Sequence, residues 1–301
     1  MAALICGSLA FDTIMNFEGK FADQIMPDQI HNLSVSFIVP GLRREFGGCA
    51  GNIAYGLNLL GGAALPMATV GADGVDYLER FKKLGISTEF VKVLNDNYTA
   101  QCMIMTDKVN NQITAFHPGA MMMAHTTEIA ARDDIRIGII APDGREAMVR
   151  HAQQFRKAGI PFIFDPGQNL PLFNGEEVLE FLEEASWIAV NDYEGKMLSD
   201  RTGLSAAELS HRVQGLVITK GGEGSEVWIA GQCEHIAPVQ AAAVNDPTGC
   251  GDAFRAALLY GLERGWPLAR CARLGSQVGA LKIAQHGPQN YQVERAALGL
   301  V

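Results

Sequence analysis

The sequence predicts an α/β protein with a mainly parallel central sheet, and two observations carry that prediction. Short apolar runs alternate with stretches of helical periodicity along most of the 301 residues, as in chains built from βα units. Hydrophobic residues make up 48% and charged residues 19% of the chain, which fits a folded globular protein better than a disordered one. No internal repeat, low-complexity tract or Pro/Ser-rich linker interrupts the chain, so we expect a single domain over residues 1–301.

The individual elements follow from the same patterns. Short apolar runs predict strands at Ala3–Cys6, Ala64–Val70, Ile135–Ala141, Ile160–Asp165, Trp187–Asn191, Leu216–Thr219, Val227–Ala230 and Glu234–Ile236. Helical periodicity predicts helices near residues 50–60, 75–84, 144–158, 176–184, 193–202, 205–211, 251–264 and 267–285.

Two stretches, about 12–46 and 90–117, break this alternation. In the second, Tyr98–Asp107 and Gln112–His117 flank a polar turn, which predicts a β-hairpin. Pairing of that hairpin with the strand-like segment Leu33–Val39 would form a small separate sheet inserted between the first βα units. We predict that this small sheet is a lid over a binding site.

Charge and hydropathy exclude several function classes. The formal net charge is −9 and no block of Lys and Arg stands out, which argues against a nucleic-acid partner. The N-terminal apolar run lacks a basic lead-in and predicts a first strand, not a signal peptide, and no apolar run approaches the length of a membrane span. The six cysteines are scattered without metal-ligand spacing, so we expect reduced thiols in a cytoplasmic protein without a membrane partner.

The segment 245–254 combines a Gly-rich turn with the start of a helix. Gly249 and Gly251 allow the backbone N–H groups of the turn, including that of Cys250, to point one way, and the helix adds its positive end. These groups would form an anion site that holds charge on a transferring phosphoryl group. The carboxylate of Asp252 beside such a site suits a general base, although an Asp in the first turn of a helix can also serve only to balance the helix dipole.

This segment resembles the second signature of the ribokinase-like (phosphofructokinase-B type) family of carbohydrate and nucleoside kinases, which runs Asp-Thr-x-Gly-Ala-Gly-Asp. Pro247 and Cys250 replace the usual Thr and Ala. The resemblance implies a three-layer α/β/α sandwich with a small β-sheet lid, ATP as phosphoryl donor and Mg²⁺ as its metal. It leaves open a further monovalent cation such as K⁺.

Residues 44–52 resemble the first signature of the same family, a Gly-Gly pair followed by a small residue and Asn. Glycines bring backbone close to a polyol, and the amide of Asn52 can both donate to and accept from sugar hydroxyls. The resemblance also places a sugar-binding aspartate at Asp12. The predicted acceptor-binding residues here are Asp12, Gly47, Gly48 and Asn52. A strand-to-helix turn with Asn as cap is the alternative for the glycine pair, and a loop Asp bonded to its own backbone is the alternative for Asp12.

Three further elements match the family in order. Asn191 and Glu194 match its Asn-x-x-Glu element, which supports magnesium, although the same pair fits an ordinary capping box. The loop after the predicted strand Leu216–Thr219 resembles the nucleotide loop Thr-x-Gly-x-x-Gly, and a plain hairpin turn is its alternative. Ser276 lies in the stretch that borders the adenine of ATP in the family. The predicted nucleotide-binding positions are Asn191, Thr219, Gly221, Gly222, Gly224 and Ser276.

The acceptor is predicted from the lid. Its segments carry an apolar set suited to stacking on a planar base, from which we assign Met103 and Phe116 to the substrate; the alternative is that these residues only pack the lid onto the body. Residues 43–52 and 115–121 resemble bacterial adenosine-kinase-type members. We therefore predict 5′-phosphorylation of a purine nucleoside, adenosine, in purine salvage by a monomer or homodimer. A ribose- or fructose-type sugar kinase and a non-catalytic nucleoside-binding protein are the alternatives.

Overall fold

The computed structural model describes residues 1–25, 31–32, 34–109 and 111–300. Its strands are β1 (Ala2–Cys6), β2 (Ala10–Asn16), β3 (Gly41–Gly47), β4 (Ala63–Gly71), β5 (Val91–Leu94), β6 (Ala100–Thr106), β7 (Gln112–His117), β8 (Ile135–Ile140), β9 (Phe162–Phe164), β10 (Trp187–Asn191), β11 (Gly215–Thr219), β12 (Ser225–Ile229) and β13 (Gln232–Ile236). Its helices are α1 (Cys49–Leu59), α2 (Val75–Leu84), α3 (Arg145–Ala158), α4 (Gly175–Glu184), α5 (Asp192–Thr202), α6 (Ala206–Leu209), α7 (Cys250–Glu263) and α8 (Leu268–Ile283).

A nine-stranded sheet forms the middle layer, in the order β13-β12-β11-β10-β9-β8-β1-β4-β5. Its strands pair in parallel except at β11–β12 and β12–β13, which are antiparallel. The predicted mainly parallel sheet is therefore confirmed. Because the parallel strands point the same way, their carboxyl ends and the loops that follow them share one edge, where open α/β sheets bind ligands.

Helices cover both faces of this sheet, which explains the continuous apolar runs in the sequence. On β1, Ile5 joins a core cluster with residues of α1, α2, α7 and α8, whereas Leu4 and Cys6 join a second cluster with residues of α3, α4, α5 and α6. Alternate side chains of one strand thus enter opposite cores. The three-layer α/β/α arrangement predicted from sequence is confirmed.

A second sheet of four strands, in the order β3-β2-β6-β7, contains the predicted hairpin as β6 and β7. The prediction of Leu33–Val39 as its partner strand is wrong for the described residues 34–39, which form no strand, and Leu33 lies outside the described residues. The ring of Phe37 instead packs 5.0 Å from that of Phe17 and 5.3 Å from that of Phe21, in an aromatic cluster. The strands that pair there are β2, parallel to β6, and β3, antiparallel to β2.

Among the described residues, no helix combines the length and apolar character needed to cross a membrane.

Candidate active site

A cavity of about 740 Å³ opens at the carboxyl edge of the large sheet. All eleven of the predicted phosphoryl-transfer, metal and nucleotide residues line it, although they come from segments far apart in the chain. The predicted residues on its wall are Asn191, Glu194, Thr219, Gly221, Gly222, Gly224, Gly249, Cys250, Gly251, Asp252 and Ser276. The structure therefore brings one half of the predicted site together around a single space.

The Gly-rich turn leads directly into α7. Gly249 caps the helix with φ +79°, and a Cβ there would lie 2.7 Å from the Cβ of Pro288, so this position needs glycine. The N–H of Cys250 donates to the carbonyl of Pro247 at 3.1 Å, which corrects its predicted role as an anion-site donor. Within the described part of the chain, the N–H groups of Gly249, Gly251 and Asp252 have no protein acceptor, so three donors at the positive end of α7 are free for an anion.

Asp252 stands in the first turn of α7, where its carboxylate accepts a hydrogen bond from Asn52 Nδ2 at 2.8 Å. Burial raises the pKa of Asp252 from 3.8 to about 6; the hydrogen bond from Asn52 opposes this rise, and the negative charge of Asp165 adds to it. Such a group is mostly ionised at neutral pH yet basic enough to accept a proton during a reaction. The geometry is therefore compatible with a general base.

The amide of Asn52 is held at both ends. While Nδ2 donates to Asp252, Oδ1 accepts from Gln289 Nε2 at 3.1 Å, and the same Gln289 nitrogen lies 2.7 Å from the hydroxyl of Tyr77. The Tyr77 hydroxyl donates to the carbonyl of Gly47 at 2.6 Å, and Arg80 Nη2 donates to the carbonyl of Gln289 at 2.8 Å. This network aims the N–H₂ of Asn52 at the carboxylate. Sequence reasoning missed Gln289, because the segment after α8 carried only an ordinary helix stop.

The Gly-Gly pair has a structural reason that the sequence did not reveal. A Cβ on Gly47 would lie 2.4 Å from Oδ2 of Asp12, and a Cβ on Gly48, which has φ +83°, would lie 2.6 Å from the backbone of Ser8 and Ala10. The protein's own packing therefore requires both glycines. Asp12 lies on β2, not in a loop after β1, and burial together with the charge of Glu45 raises its pKa to about 6.

The two predicted base contacts lie on opposite faces of the small sheet. Cys102 on β6 pairs with both Asp12 on β2 and Phe116 on β7, so these three side chains share one face. Met103 follows Cys102 directly and points to the other face. Phe116 is 53% exposed, and the register puts its side chain on the Asp12 face. We therefore retain Phe116 as a candidate contact and drop Met103, since the register separates Met103 from Asp12.

Asn191 and Glu194 form the capping box of α5 that was their alternative interpretation. Asn191 Oδ1 accepts from the N–H of Glu194 at 2.7 Å, and Glu194 Oε2 accepts from the N–H of Asn191 at 2.8 Å. Glu194 nevertheless lines the cavity, and burial raises its pKa. Among the described residues there is no group of three or more His, Cys, Asp or Glu that could hold a metal ion by itself.

The predicted nucleotide loop connects β11 to the antiparallel β12, so it is also the hairpin turn that was its alternative. Gly224, with φ +90°, is required because a Cβ there would lie 2.1 Å from the carbonyl of Ile236. A Cβ on Gly221 or Gly222 would meet nothing within 4 Å, so these glycines face open space on the cavity wall. Across the cavity, Ser276 belongs to α8.

A buried ion pair beneath the turn was not predicted. Arg255, one turn after Asp252 on α7, makes two 3.1 Å hydrogen bonds to the carboxylate of Asp165 and a third to the carbonyl of Ala189 at 3.1 Å. Both charged side chains are almost fully buried. These contacts fix the second turn of α7 to the residue that follows β9 and to the middle of β10.

Comparison with known proteins gives consistent matches over the whole chain. A family model described as pfkB family carbohydrate kinase matches residues 15–295. The nucleoside kinase of Methanocaldococcus jannaschii is 30% identical over 293 residues, covering 96% of this chain and 93% of that protein. The structure of Burkholderia thailandensis nucleoside kinase in complex with inosine is 54% identical, with a TM-score of 0.88, and the match covers 98% of this chain and 95% of that chain. The same kinase in complex with ADP-inosine is 55% identical, with a TM-score of 0.85 and coverage of 98% and 93%.

Proposed function

The chain belongs to the pfkB family of carbohydrate kinases, and from this membership we propose that it transfers the γ-phosphate of ATP to the 5′-hydroxyl of a purine nucleoside. Its three layers and small second sheet are those of the ribokinase-like fold. The observation that carries the proposal is the position of Asp252, which lines the cavity beside the free N–H groups at the start of α7 and accepts a hydrogen bond from Asn52, a proposed acceptor-binding residue.

In the proposed reaction, Asp252 accepts the proton of the 5′-hydroxyl while the hydroxyl oxygen forms a bond to the γ-phosphorus of ATP. At the same time the bond between the γ-phosphorus and the β-phosphate oxygen breaks, and ADP leaves. Negative charge on the three equatorial oxygens meets the free N–H groups of Gly249, Gly251 and Asp252, together with the positive end of α7. These donors are fixed before the reaction, so they stabilise the developing charge without reorganising.

The cavity fits a magnesium ion held mainly by phosphates and water. Glu194 uses Oε2 in the capping box, which leaves Oε1 as an oxygen ligand, direct or through water, with Asn191 beside it. Bound there, Mg²⁺ would neutralise charge on the phosphates. Thr219 and the open glycines of the loop would border the nucleotide, and Ser276 would border its adenine.

On the acceptor side, Asp12 would accept from the ribose diol, and the second Nδ2 hydrogen of Asn52 would donate to it. Phe116 shares the face of Asp12 and is exposed, so it is placed to stack on the base. We propose that the small sheet acts as a lid, because closing it would bring Phe116 onto the base and exclude water from the transferring phosphate.

The sequence points to adenosine, and the Burkholderia thailandensis relative binds inosine, so both belong to the substrate test. Steady-state kcat/KM would be measured with adenosine, inosine, guanosine, ribose and fructose. We expect purine nucleosides to exceed both free sugars by at least about tenfold, the range that stacking of one base supplies. A preference for ribose or fructose would establish the sugar-kinase alternative. A rise in Tm with nucleoside but no turnover would establish a binding protein. We further propose that the protein acts in the cytoplasm, in purine salvage, as a monomer or a homodimer.

Matched variants on the two faces of the small sheet separate recognition from general damage to the lid. Phe116→Ala should lower kcat/KM for the preferred nucleoside by about tenfold and leave that for ribose unchanged. Met103→Ala, on the opposite face, should change neither. Equal losses in the two variants would contradict the assignment of Phe116 to the base.

A further inference from the structure

Lys282, in the last turn of α8, is fully buried. Its ammonium donates to the carbonyl of Asp246 at 2.7 Å and to the carbonyl of Gln285 at 3.1 Å. Within the described part of the chain it forms no ion pair with a carboxylate. A buried ammonium bound only by carbonyl oxygens is unusual, because burying a charge is costly unless the surroundings compensate it.

Those surroundings belong to the turn that precedes the anion site. The carboxylate of Asp246 accepts from the N–H of Thr248 at 2.9 Å and from the N–H of Gly287 at 2.8 Å, and the N–H of Asp246 donates to the carbonyl of Ile283 at 3.1 Å. Asp246 therefore joins the start of the turn to the segment that follows α8. The buried ammonium of Lys282 binds a carbonyl on each side of this junction, that of Asp246 and that of Gln285.

The charge of Lys282 also reaches the anion site. The carbonyl of Asp246 that accepts from the ammonium also lies 4.0 Å from Sγ of Cys250, the first residue of α7, so the ammonium is close to the start of that helix. The ammonium lies at the negative, carboxyl-terminal end of α8, where a cation is favoured. Burial lowers the pKa of Lys282, and the nearby negative charge of Asp246 opposes that effect. In its ammonium form, Lys282 holds the turn and adds to the positive potential felt by an anion at the start of α7.

We propose that Lys282 is a positioning residue for phosphoryl transfer. Its ammonium binds the carbonyls of Asp246 and Gln285 in the way that a monovalent cation would, and the enzyme therefore does not need free K⁺. An ammonium and K⁺ carry the same charge and both bind carbonyl oxygens. Because Lys282 already occupies these two carbonyls, an ion from solution is not needed to bind them. The inference rests on the proposed phosphoryl transfer but not on the identity of the acceptor.

The first test is the cation dependence of the wild-type enzyme. With whichever acceptor supports turnover, kcat would be measured in KCl, NaCl and tetramethylammonium chloride at constant ionic strength and saturating Mg²⁺–ATP. We expect rates that agree within about twofold, since the bound ammonium does not exchange with these ions. Activation by K⁺ of more than about fivefold would overturn the proposal. Failure of the nucleoside assignment would appear separately, as turnover of a sugar in its place.

The second test removes the ammonium. Lys282→Met should lower kcat by at least about tenfold, while KM for the acceptor changes by less than about threefold because Asp12 and Asn52 are untouched. Added ammonium or methylammonium ions should restore part of the kcat of Lys282→Met, and Lys282→Arg should keep part of the wild-type kcat. If Lys282 had only a structural role, added cations would not change the kcat of Lys282→Met. Lys196→Met, at an exposed lysine, is the control and should keep wild-type kinetics.

Two results of this second test would refute the proposal. One is a folded Lys282→Met variant that keeps kcat within about twofold of wild type without added cations, and the other is a folded variant whose lost activity no cation restores. If the variant does not fold, the wild-type cation series decides the matter alone.

Discussion

The acid limb of the pH profile tests the proposed base most directly. With a pKa of about 6, Asp252 is about nine-tenths ionised at pH 7 and about one-tenth ionised at pH 5, so its protonation alone should lower kcat/KM about tenfold between these values. An Asp that kept its ordinary pKa of 3.8 would stay mostly ionised throughout and produce no such limb.

Asn52→Leu moves the limb in a defined direction. Its Nδ2 donates to the ionised form of Asp252, and a hydrogen bond to a charged group contributes about 1.5–3 kcal/mol, so its loss should raise the apparent pKa by about one to two. The profile would be recorded from pH 4.5 to about 9 with excess Mg²⁺, by coupling ADP release to NADH oxidation. Asp12→Asn is the necessary control, because the pKa of Asp12 is also raised to about 6. A limb that disappears in Asp12→Asn, or one that does not move in Asn52→Leu, would refute the assignment to Asp252.

Three further predictions concern residues around the site. Asp165→Ala leaves the buried charge of Arg255 unpaired and should lower the free energy of unfolding in urea by about 3–5 kcal/mol, and adding Arg255→Met should recover part of it; a loss below about 1 kcal/mol would contradict the pairing. Burial raises the pKa of Asp143 from 3.8 to about 8, so between these values the folded protein holds a proton that the unfolded chain releases, and stability falls with rising pH by up to about 1.4 kcal/mol per pH unit. Asp143→Asn should remove this pH dependence, so the Tm of the variant minus the Tm of the wild type should increase between about pH 5 and pH 8. A Tm difference that stays constant over this range would show that Asp143 is ionised in the folded protein. Gln289→Leu should lower kcat/KM by up to about tenfold, because the amide of Asn52 loses its hydrogen bond from Gln289. In an Asn52→Leu background the same substitution should cause no further loss of kcat/KM; additive losses would show that Gln289 does not act through Asn52.

The sequence predicts the large sheet well because most of its strands are buried on both faces and appear as apolar runs. It misses β5, a short edge strand with two exposed side chains out of four. It also misses β3, whose residues include Arg43, Arg44 and Glu45, because a strand of the small sheet is partly exposed and need not be apolar. Conversely, residues 34–39 resemble a strand, but Phe37 packs in an aromatic cluster beside the sheet.

The site divides in the same way. The Gly-rich turn and Asp252 are contiguous, so a local pattern reveals them. Gln289 contacts Asn52 across 237 positions and Arg255 contacts Asp165 across 90, and no spacing rule predicts which distant partners the fold will bring together. The engagement of the Cys250 N–H by Pro247 depends on how the turn closes, which residue types alone do not specify.

The hydrogen bond from Asn52 to Asp252 joins positions 200 residues apart, across the packing of α1 against α7. A contact between positions so far apart has to close a long loop, and the entropy of loop closure is lost before the contact stabilises the fold. A nascent chain that has emerged from the ribosome only as far as β13 contains the proposed acceptor residues but lacks Asp252, the proposed base. On the proposed mechanism, phosphoryl transfer therefore has to await the synthesis and docking of α7 and α8, the last two long helices of the chain.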